Sequence, residues 1–264
     1  MKSPDKICFV SVDVEHDVGT GEEKEFRGIS EMEQITDIFS RQEIPATFFV
    51  TGGVFLKFED EVRKWSERYE IASHSYSHVY FNELSDEEKV LDIKKSLDLY
   101  SNVLSKSPKG FRAPSHVIDE LTVNALKENG FLYDSSIVPH YPPFKKYRGY
   151  KGSAPKKPYN PGEGNIRKRG GMHILEIPVA GQIMGIPLAG AWIRKLPHLV
   201  YKILFSIDNP KFVTLSMHSW DGLGDGDFYK KLENMILLLR NKGYTFKTGE
   251  QIYRGVGFKK INPA

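Results

Sequence analysis

Residues 7–17, with the sequence ICFVSVDVEHD, decide the fold. The first eight of them are mostly β-branched or aromatic, which predicts a buried strand. Because side chains alternate along a strand, Asp13 and Glu15 project to the same side, with Asp17 beyond them if the strand persists. Carboxylates that converge at a strand end repel one another, and a bound cation relieves that repulsion. A turn or helix cap built from the same acids is the alternative.

Further strands alternate with helical patterns along the rest of the chain. Strands are predicted at 46–50, 70–73, 110–112, 132–135, 173–177, 212–217 and 245–247. The sequence SDEE at 85–88 is a capping box that starts a helix, and helices are also predicted over 119–130 and 227–242. This alternation, without an internal repeat, predicts an α/β protein with a parallel sheet or barrel.

The composition excludes several classes of protein. The 264 residues are 40% hydrophobic and 27% charged, which is typical of a globular protein. A net charge of +3 is too small to indicate a nucleic-acid partner. The one cysteine, Cys8, excludes an internal disulfide and a four-thiolate zinc site. The amino-terminal apolar run is too short for a signal peptide and no stretch is long enough for a membrane span, so we expect a cytoplasmic protein.

One segment breaks the strand–helix pattern. Residues 139–171 contain six prolines, six glycines, nine lysines or arginines and a single acid, Glu163. Its net charge is therefore +8, which leaves −5 for the rest of the chain. An irregular segment of this length inside a compact domain is usually functional or disordered, and a solvated loop is the alternative. We treat it as a basic insertion in a single domain that spans residues 1–264.

A second unusual segment is 183–207, which contains no acid, three basic residues and many large apolar ones. Its prolines and charges argue against a membrane span. We expect a core helix here, with a surface that touches lipid as the alternative.

Two histidines follow the strand predicted at 70–73. In the sequence HSYSH, His74 and His78 are four residues apart, so on a helical turn they face the same way and can share a metal ion. Two unrelated loop histidines are the alternative. The pair is a moderately specific indication of a metal site.

An arginine and another histidine also follow predicted strands. Arg112, in GFRAPS, can hold a carboxylate in a forked ion pair, and His218, in LSMHSWD, can deliver a proton near neutral pH. A surface arginine and a histidine bonded to backbone are the alternatives. However, Asp13, His74, Arg112, Asp134 and His218 all lie at or just after strand carboxyl ends, the rim on which α/β barrels build active sites.

The order of these motifs resembles the polysaccharide deacetylase family, the carbohydrate esterases that share a NodB-type homology domain. The resemblance runs from about residue 7 to residue 250 and includes QEIPATFFV at 42–50, which looks like the family's second-strand signature. It implies a distorted, incomplete (β/α) barrel of about seven strands. It also implies a metal-dependent hydrolase that removes an N-acetyl or N-formyl group from an amino sugar.

The resemblance also implies roles for individual residues. Asp13 corresponds to the catalytic base, Arg112 to the residue that holds it, and His218 to the proton donor. Many family members open with adjacent aspartates, the second of which binds the metal, but Val14 occupies that position here. We therefore assign Zn²⁺, or another divalent transition metal such as Co²⁺, to Glu15, His74 and His78, with Asp17 as the fallback ligand.

The remaining roles concern the proton donor and the substrate. The aspartate that orients His218 is not obvious, and Asp134 and Asp221 are both candidates. The backbone N–H of Ser115 is expected to stabilise the oxyanion, and Trp220 and Tyr147 are expected to contact the substrate.

The identity of the substrate is the least constrained prediction. A basic, tyrosine-rich loop beside the rim suits an anionic sugar, and the apolar segment 183–207 suggests a lipid phosphate carrier met at the inner membrane face. A metal hydrolase of cyclic amides or ureides and a non-catalytic sugar-binding module are the alternatives. A binding module has no need to keep Asp13, both histidines, Arg112 and His218.

Overall fold

The computed structural model describes residues 6–17, 25–140 and 153–256. The strands are β1 (Lys6–Val14), β2 (Thr47–Val50), β3 (Glu70–Ser73), β4 (Gly110–Phe111), β5 (Tyr133–Asp134), β6 (Pro161–Gly162), β7 (Asn165–Arg169), β8 (Leu175–Glu176), β9 (Gln182–Ile183), β10 (Ile186–Pro187), β11 (Phe212–His218) and β12 (Tyr244–Lys247). The α-helices are α1 (Gly28–Arg41), α2 (Gly52–Lys57), α3 (Glu59–Ser66), α4 (Asp86–Leu104), α5 (Glu120–Glu128), α6 (Gly190–Lys195), α7 (His198–Ile207), α8 (Phe228–Asn241) and α9 (Gly249–Val256).

The main sheet is parallel and follows the order β11-β1-β2-β3-β4-β5-β8, with β12 pairing with the first half of β1. The seven strands of that path curl into a half-barrel with helices packed outside. The predicted α/β fold, an incomplete (β/α) barrel of about seven strands, is therefore confirmed. All carboxyl ends of these strands meet at one rim, which is where the polar motifs were predicted to gather.

A segment outside the main sheet, rather than another strand of that sheet, connects the two ends of the curled sheet. The Thr214 hydroxyl donates to the carbonyl of Pro178 at 2.8 Å, and the Ser216 N–H donates to the carbonyl of Leu188 at 3.1 Å. Gly181 lies between them, where an added Cβ would be 2.5 Å from the Thr214 carbonyl oxygen. Residues 178–192, which contain the β9–β10 hairpin and the start of α6 but no strand of the main sheet, thus form the last wall of the barrel.

Strand β1 shows how the sequence divides the two sides of the sheet. Val10 and Val12 belong to the core between sheet and helices, whereas Phe9 packs inside the barrel. By the same alternation, Ser11 and Asp13 follow Phe9 on the inner side. The inner side therefore changes from apolar to acidic towards the rim, as the sequence predicted.

The helices confirm the local signals in the sequence. The Ser85 hydroxyl accepts from the Glu88 N–H, and the Glu88 carboxylate accepts from the Ser85 N–H, which completes the predicted capping box of α4. Asp119 caps α5 by accepting from the N–H of Thr122 at 2.8 Å. No helix in the described ranges is both long and apolar enough to cross a bilayer.

The single core helix expected within 183–207 is wrong. The segment forms the β9–β10 hairpin and two short helices, α6 and α7, with Pro197 between them. Proline supplies no N–H and biases the preceding residue towards extended backbone, so one continuous helix cannot pass this point. Only one side of α7 is buried, through Tyr201 and Phe205.

The basic segment 139–171 is only partly described, because residues 141–152 lie outside the described ranges. The described part is not wholly irregular, since β6 and β7 pair as an antiparallel hairpin. The Tyr159 hydroxyl donates to the carbonyl of Ile166 at 2.8 Å, and the Gly164 N–H donates to Glu120 of α5 at 2.6 Å. The hairpin is thus fixed to the domain.

Candidate active site

The predicted site residues gather around one cavity at the rim of the barrel, with a volume of about 360 Å³. The predicted residues that line it are Asp13, Glu15, His74, His78, Ser115, His218 and Trp220. Arg112 lies beneath Asp13, and Tyr147 lies outside the described residues. Asp13 and His218 face each other as register partners on β1 and β11.

Arg112 and Asp13 form a buried ion pair in the floor of the cavity. The Arg112 Nη1 donates to Asp13 Oδ1 at 2.5 Å and to the Ser11 hydroxyl at 3.0 Å. Its other nitrogens donate to the Ser135 carbonyl and hydroxyl, and its guanidinium stacks over the Phe49 ring at 4.1 Å. The side chain is fully buried, so Asp13 is held in a single orientation.

The electrostatics of the cavity keep Asp13 ionised. Burial alone raises the pKa of a carboxyl group, but Arg112, followed by His74 and His218, lowers the pKa of Asp13 below its ordinary value. An ionised carboxylate at this position can accept a proton from a nearby water.

Glu15, His74 and His78 form a candidate metal site. Glu15 Oε2 lies 3.2 Å from His74 Nε2 and 2.6 Å from His78 Nε2, and the three ligand atoms lie within 4.8 Å of one another. His78 Nε2 is buried yet has no partner with hydrogen-bond geometry among the described residues. Two imidazoles and one carboxylate that converge in this way fit a catalytic divalent ion with an open position.

Hydrogen bonds from outside the cluster orient the side chains of the candidate metal site. The Nδ1 of His74 is 2.7 Å from the Arg112 carbonyl, which favours a tautomer with Nε2 free to bind a cation. The Trp220 indole N–H donates to Glu15 Oε1 at 3.2 Å, opposite the oxygen that faces the histidines. These hydrogen bonds hold two of the three candidate ligands in fixed orientations.

The charges of the cluster favour a cation. Burial raises the pKa of the Glu15 carboxyl, but His78 and His74 together lower that pKa well below its ordinary value. Burial lowers the pKa of His74, whereas the carboxylates of Asp13 and Glu15 raise it, with a net increase. The pocket thus stabilises a positive charge between the carboxylates and the imidazoles.

The loop that carries both histidines depends on Asp92, a residue the sequence analysis did not identify. The Asp92 carboxylate accepts from the N–H groups of Tyr76 and Ser77 at 2.8 and 2.9 Å. This anchoring holds a tight loop in which Ser75 and His78 adopt positive φ values of 67° and 60°. Nothing in the local sequence distinguishes Asp92 from an ordinary acid on the surface of a helix.

Asp17, the fallback ligand, has a different role in the structure. Its Oδ1 accepts from the Gly28 N–H and its Oδ2 from the Arg27 N–H, both at 2.9 Å, at the start of α1. The carboxylate therefore caps the helix, where negative charge is favoured. Glu15, not Asp17, is the acid that converges with the two histidines.

His218 is positioned by Asp221 and Trp220. The Asp221 Oδ2 accepts from the His218 N–H at 2.8 Å and lies 3.3 Å from its Nδ1. The His218 and Trp220 rings stack with centroids 4.3 Å apart. Burial lowers the pKa of His218, but Asp221 and then the Glu15 and Asp13 carboxylates raise it to about 9. The imidazole is therefore protonated at neutral pH.

Asp134, which was predicted to be catalytic as the partner of His218, does not contact it. Its carboxylate accepts from the Ser136 hydroxyl at 2.6 Å and the Ser136 N–H at 3.1 Å. Its buried neighbour Glu176, which the sequence analysis missed, has a pKa raised well above its ordinary value by burial and by Asp134. The contact expected of Asp134 is made by Asp221 instead.

Ser115 lines the cavity beside His116, another residue that was not predicted. Both have positive φ, 51° and 59°, in a short 3₁₀ turn at Pro114–His116. Burial, followed by the charge of Arg112, lowers the pKa of His116 to about 3, so this ring is neutral. The oxyanion role of the Ser115 N–H remains a prediction.

Part of the chain is similar to a known protein family and to two deacetylase relatives. A family model described as polysaccharide deacetylase matches residues 28–133. A peptidoglycan deacetylase-like protein from Gibberella zeae is 34% identical over 95 residues, which is 36% of this chain and 28% of that protein. The peptidoglycan deacetylase of Helicobacter pylori is 25% identical over 114 residues, covering 43% of this chain and 39% of that one. The aligned regions thus span less than half of these relatives.

Solved structures share the fold over nearly the whole chain. A Mycobacterium smegmatis protein, described provisionally as a polysaccharide deacetylase, has a TM-score of 0.71 at 20% identity and covers 100% of this chain and 95% of its own. An allantoinase has a TM-score of 0.68 at 15% identity, covering 96% and 91%. A carbohydrate esterase family 4 pseudoenzyme from Bacillus anthracis has 0.61 at 13%, covering 95% and 66%. The family match at residues 28–133, the two curated relatives and the shared fold confirm that this chain resembles the polysaccharide deacetylase family.

Proposed function

We propose that this protein is a metal-dependent hydrolase that removes an N-acetyl or N-formyl group from an amino sugar. The observation that carries the proposal is the convergence of Asp13, the Glu15–His74–His78 cluster and His218 on one cavity. These groups provide a proton acceptor, a cation site and a proton donor, which metal-assisted amide hydrolysis uses together. The family match and the deacetylase relatives support the same activity.

The cation is assigned to Glu15, His74 and His78, with Zn²⁺ or Co²⁺ as the proposed ion. When bound, such an ion lowers the pKa of a water molecule to around 7 and polarises the amide carbonyl. Asp13, kept ionised by Arg112, accepts the proton of the attacking water. The protonated His218 then donates a proton to the departing amine, and Asp221 holds its ring in place.

The opposite wall of the cavity suits the rest of an acylated sugar. Val179, Leu188 and Trp192 line this side and provide an apolar surface for an acyl methyl group and a sugar ring. We further propose an anionic, lipid-phosphate-linked substrate and a cytoplasmic location at the inner membrane face. The net charge of +8 on residues 139–171 supports an anionic substrate.

Hydrolysis of a cyclic amide or ureide is the second candidate, because an allantoinase shares the fold. A non-catalytic role is a third, because a pseudoenzyme also shares it. The intact set of Asp13, Arg112, both metal-binding histidines and His218 favours a catalytic role.

The first prediction concerns activity and metal dependence. The protein should release acetate from N-acetylated glycan oligomers, a chelator should abolish this activity, and added Zn²⁺ or Co²⁺ should restore it. Asp13→Asn should reduce turnover by roughly 10²–10⁴-fold, as loss of a general base does, while metal stays bound. Hydrolysis of cyclic ureides without any release of acetate would support the second candidate instead. Activity that is unchanged by chelators would remove the metal from the mechanism.

The second prediction separates Glu15 from Asp17. Glu15→Ala should lower Zn²⁺ affinity by more than the roughly 10–100-fold that loss of an outer-shell partner costs. Asp17→Ala should leave Zn²⁺ affinity nearly unchanged but lower the free energy of unfolding by about 1 kcal/mol, because it removes a helix cap. Competition titration against a chromogenic chelator and denaturant unfolding measure the two quantities. The reverse order of affinities would make Asp17 the ligand.

The third prediction concerns the indole N–H of Trp220. Trp220→Phe keeps an aromatic ring against His218 but removes the donor to Glu15 Oε1, so Zn²⁺ affinity should fall by roughly 10–100-fold. Trp192→Phe, which alters the cavity wall without contacting Glu15, is the matched control and should keep full affinity. Equal affinities for the two variants would show that this hydrogen bond does not hold the ligand.

The fourth prediction concerns the pH dependence of the proton donor. His218 acts in its protonated form, and its pKa of about 9 keeps that form available until the pH exceeds that value. Asp221→Asn removes the first partner that raises the pKa, so the alkaline limb of kcat/KM should move towards the ordinary histidine value of 6.5. An unchanged alkaline limb would mean that His218 is not the group that limits activity at high pH.

A further inference from the structure

Exposed apolar side chains are concentrated in one short part of the chain. Nine large apolar side chains are exposed in the described residues, and four of them lie between residues 184 and 207. Three of these, Leu199, Ile203 and Ile207, are 64%, 52% and 65% exposed and are spaced four residues apart on α7. Because a helix turns every 3.6 residues, they form one stripe, which we name the α7 outer face.

The two sides of α7 are both apolar, which is unusual for a helix on the surface of a monomer. Tyr201 and Phe205 are each 1% exposed and pack into the core opposite the α7 outer face. A surface helix normally presents polar residues to water, so an apolar outer stripe indicates a partner.

The charges around the stripe indicate what kind of partner covers it. Residues 183–207 contain no acid, and both Lys195 at the end of α6 and Lys202 on α7 are exposed. Neither lysine is paired with an acid in the described residues, whereas Arg194 is paired with Asp225 at 3.3 Å. Two copies of this basic face would repel each other in a symmetric dimer, whereas anionic lipid head groups would attract it.

We propose that α7 docks the protein on an anionic membrane surface, with Leu199, Ile203 and Ile207 inserted at the boundary between head groups and acyl chains. This is the mode of an interfacial amphipathic helix, in which apolar burial and basic charge act together. It requires no membrane-spanning segment.

The position of α7 connects the α7 outer face to the candidate active site. Pro187 and Leu188, which precede α6, line the candidate active site, and the Tyr201 hydroxyl of α7 donates to the Pro187 carbonyl at 3.1 Å. A docked α7 therefore fixes one wall of the cavity relative to the lipid surface. This consequence for a lipid-linked sugar rests on the proposed function, whereas membrane docking itself does not.

The test measures binding of the full chain to vesicles by sedimentation. Wild type should bind equimolar phosphatidylcholine–phosphatidylglycerol vesicles, bind phosphatidylcholine vesicles less, and lose binding as salt rises. The triple variant Leu199→Ser, Ile203→Ser, Ile207→Ser should bind the mixed vesicles about tenfold more weakly or worse. Leu56→Ser with Leu91→Ser is the matched control, because these residues are similarly exposed on α2 and α4, and it should bind like wild type.

A variant that removes two basic charges tests whether electrostatic attraction contributes to membrane docking. Lys195→Gln with Lys202→Gln should weaken binding to the mixed vesicles by about 30-fold, since each basic residue near an anionic surface contributes about 1 kcal/mol. Lys94→Gln with Lys106→Gln is the matched control and should bind normally.

Three results would overturn the proposal. The first is that wild type binds neither kind of vesicle, and the second is that wild type and the triple variant bind equally well. The third is that wild type forms a dimer in light scattering and the triple variant does not, which would identify a second copy of the chain as the occupant. Acetate release from a soluble glycan should be unchanged in the triple variant. Failure of the proposed activity would leave the vesicle result unaffected.

Discussion

The buried ion pair between Arg112 and Asp13 is the interaction on which the rest of the site depends. A guanidinium with no exposed surface is tolerated only when it is paired and fully hydrogen-bonded, and removing one partner from such a pair costs about 3–5 kcal/mol. Arg112 meets this requirement through Ser11 and Asp13 on β1 and Ser135 after β5. Its backbone carbonyl also faces His74, so one residue sets the positions of both the proposed base and a candidate metal ligand.

The barrel explains why this arrangement forms at the rim. Parallel strands bring all their carboxyl ends to one edge, and each polar motif follows a strand that is otherwise apolar. The inner side of β1 changes from Phe9 through Ser11 to Asp13 within a few residues, which places the buried charge just where the barrel opens. The helix side of the same strand stays apolar and keeps it packed against the core.

Much of the fold and of the site could be predicted from the sequence because the signals are local. Alternation predicted β1, the capping box predicted the start of α4, and chain order placed Asp13, His74, Arg112 and His218 at one rim. Asp221 could not be chosen over Asp134 from spacing alone, because both follow strands and only the turn after β11 brings one of them to His218.

Residues that act through long-range contacts could not be predicted. Asp92 lies on α4 and orders the histidine loop through space, with no local signal. Trp220 was expected at the substrate, yet it also donates to Glu15, 205 positions away in sequence. The break at Pro197 was visible, but which side of α7 would be buried depended on how the segment packs against the core.

The closing segment of the barrel, residues 178–192, lies outside the main sheet and has an evolutionary consequence. In the described structure, the candidate metal-binding and proton-transfer residues come from the strand ends and the loops after them, whereas Val179, Leu188 and Trp192 of the closing segment line the cavity wall. Backbone hydrogen bonds, not side chains, attach much of this segment to β11. Its side chains can therefore diverge and change the shape of the cavity while the polar groups at the strand ends stay the same.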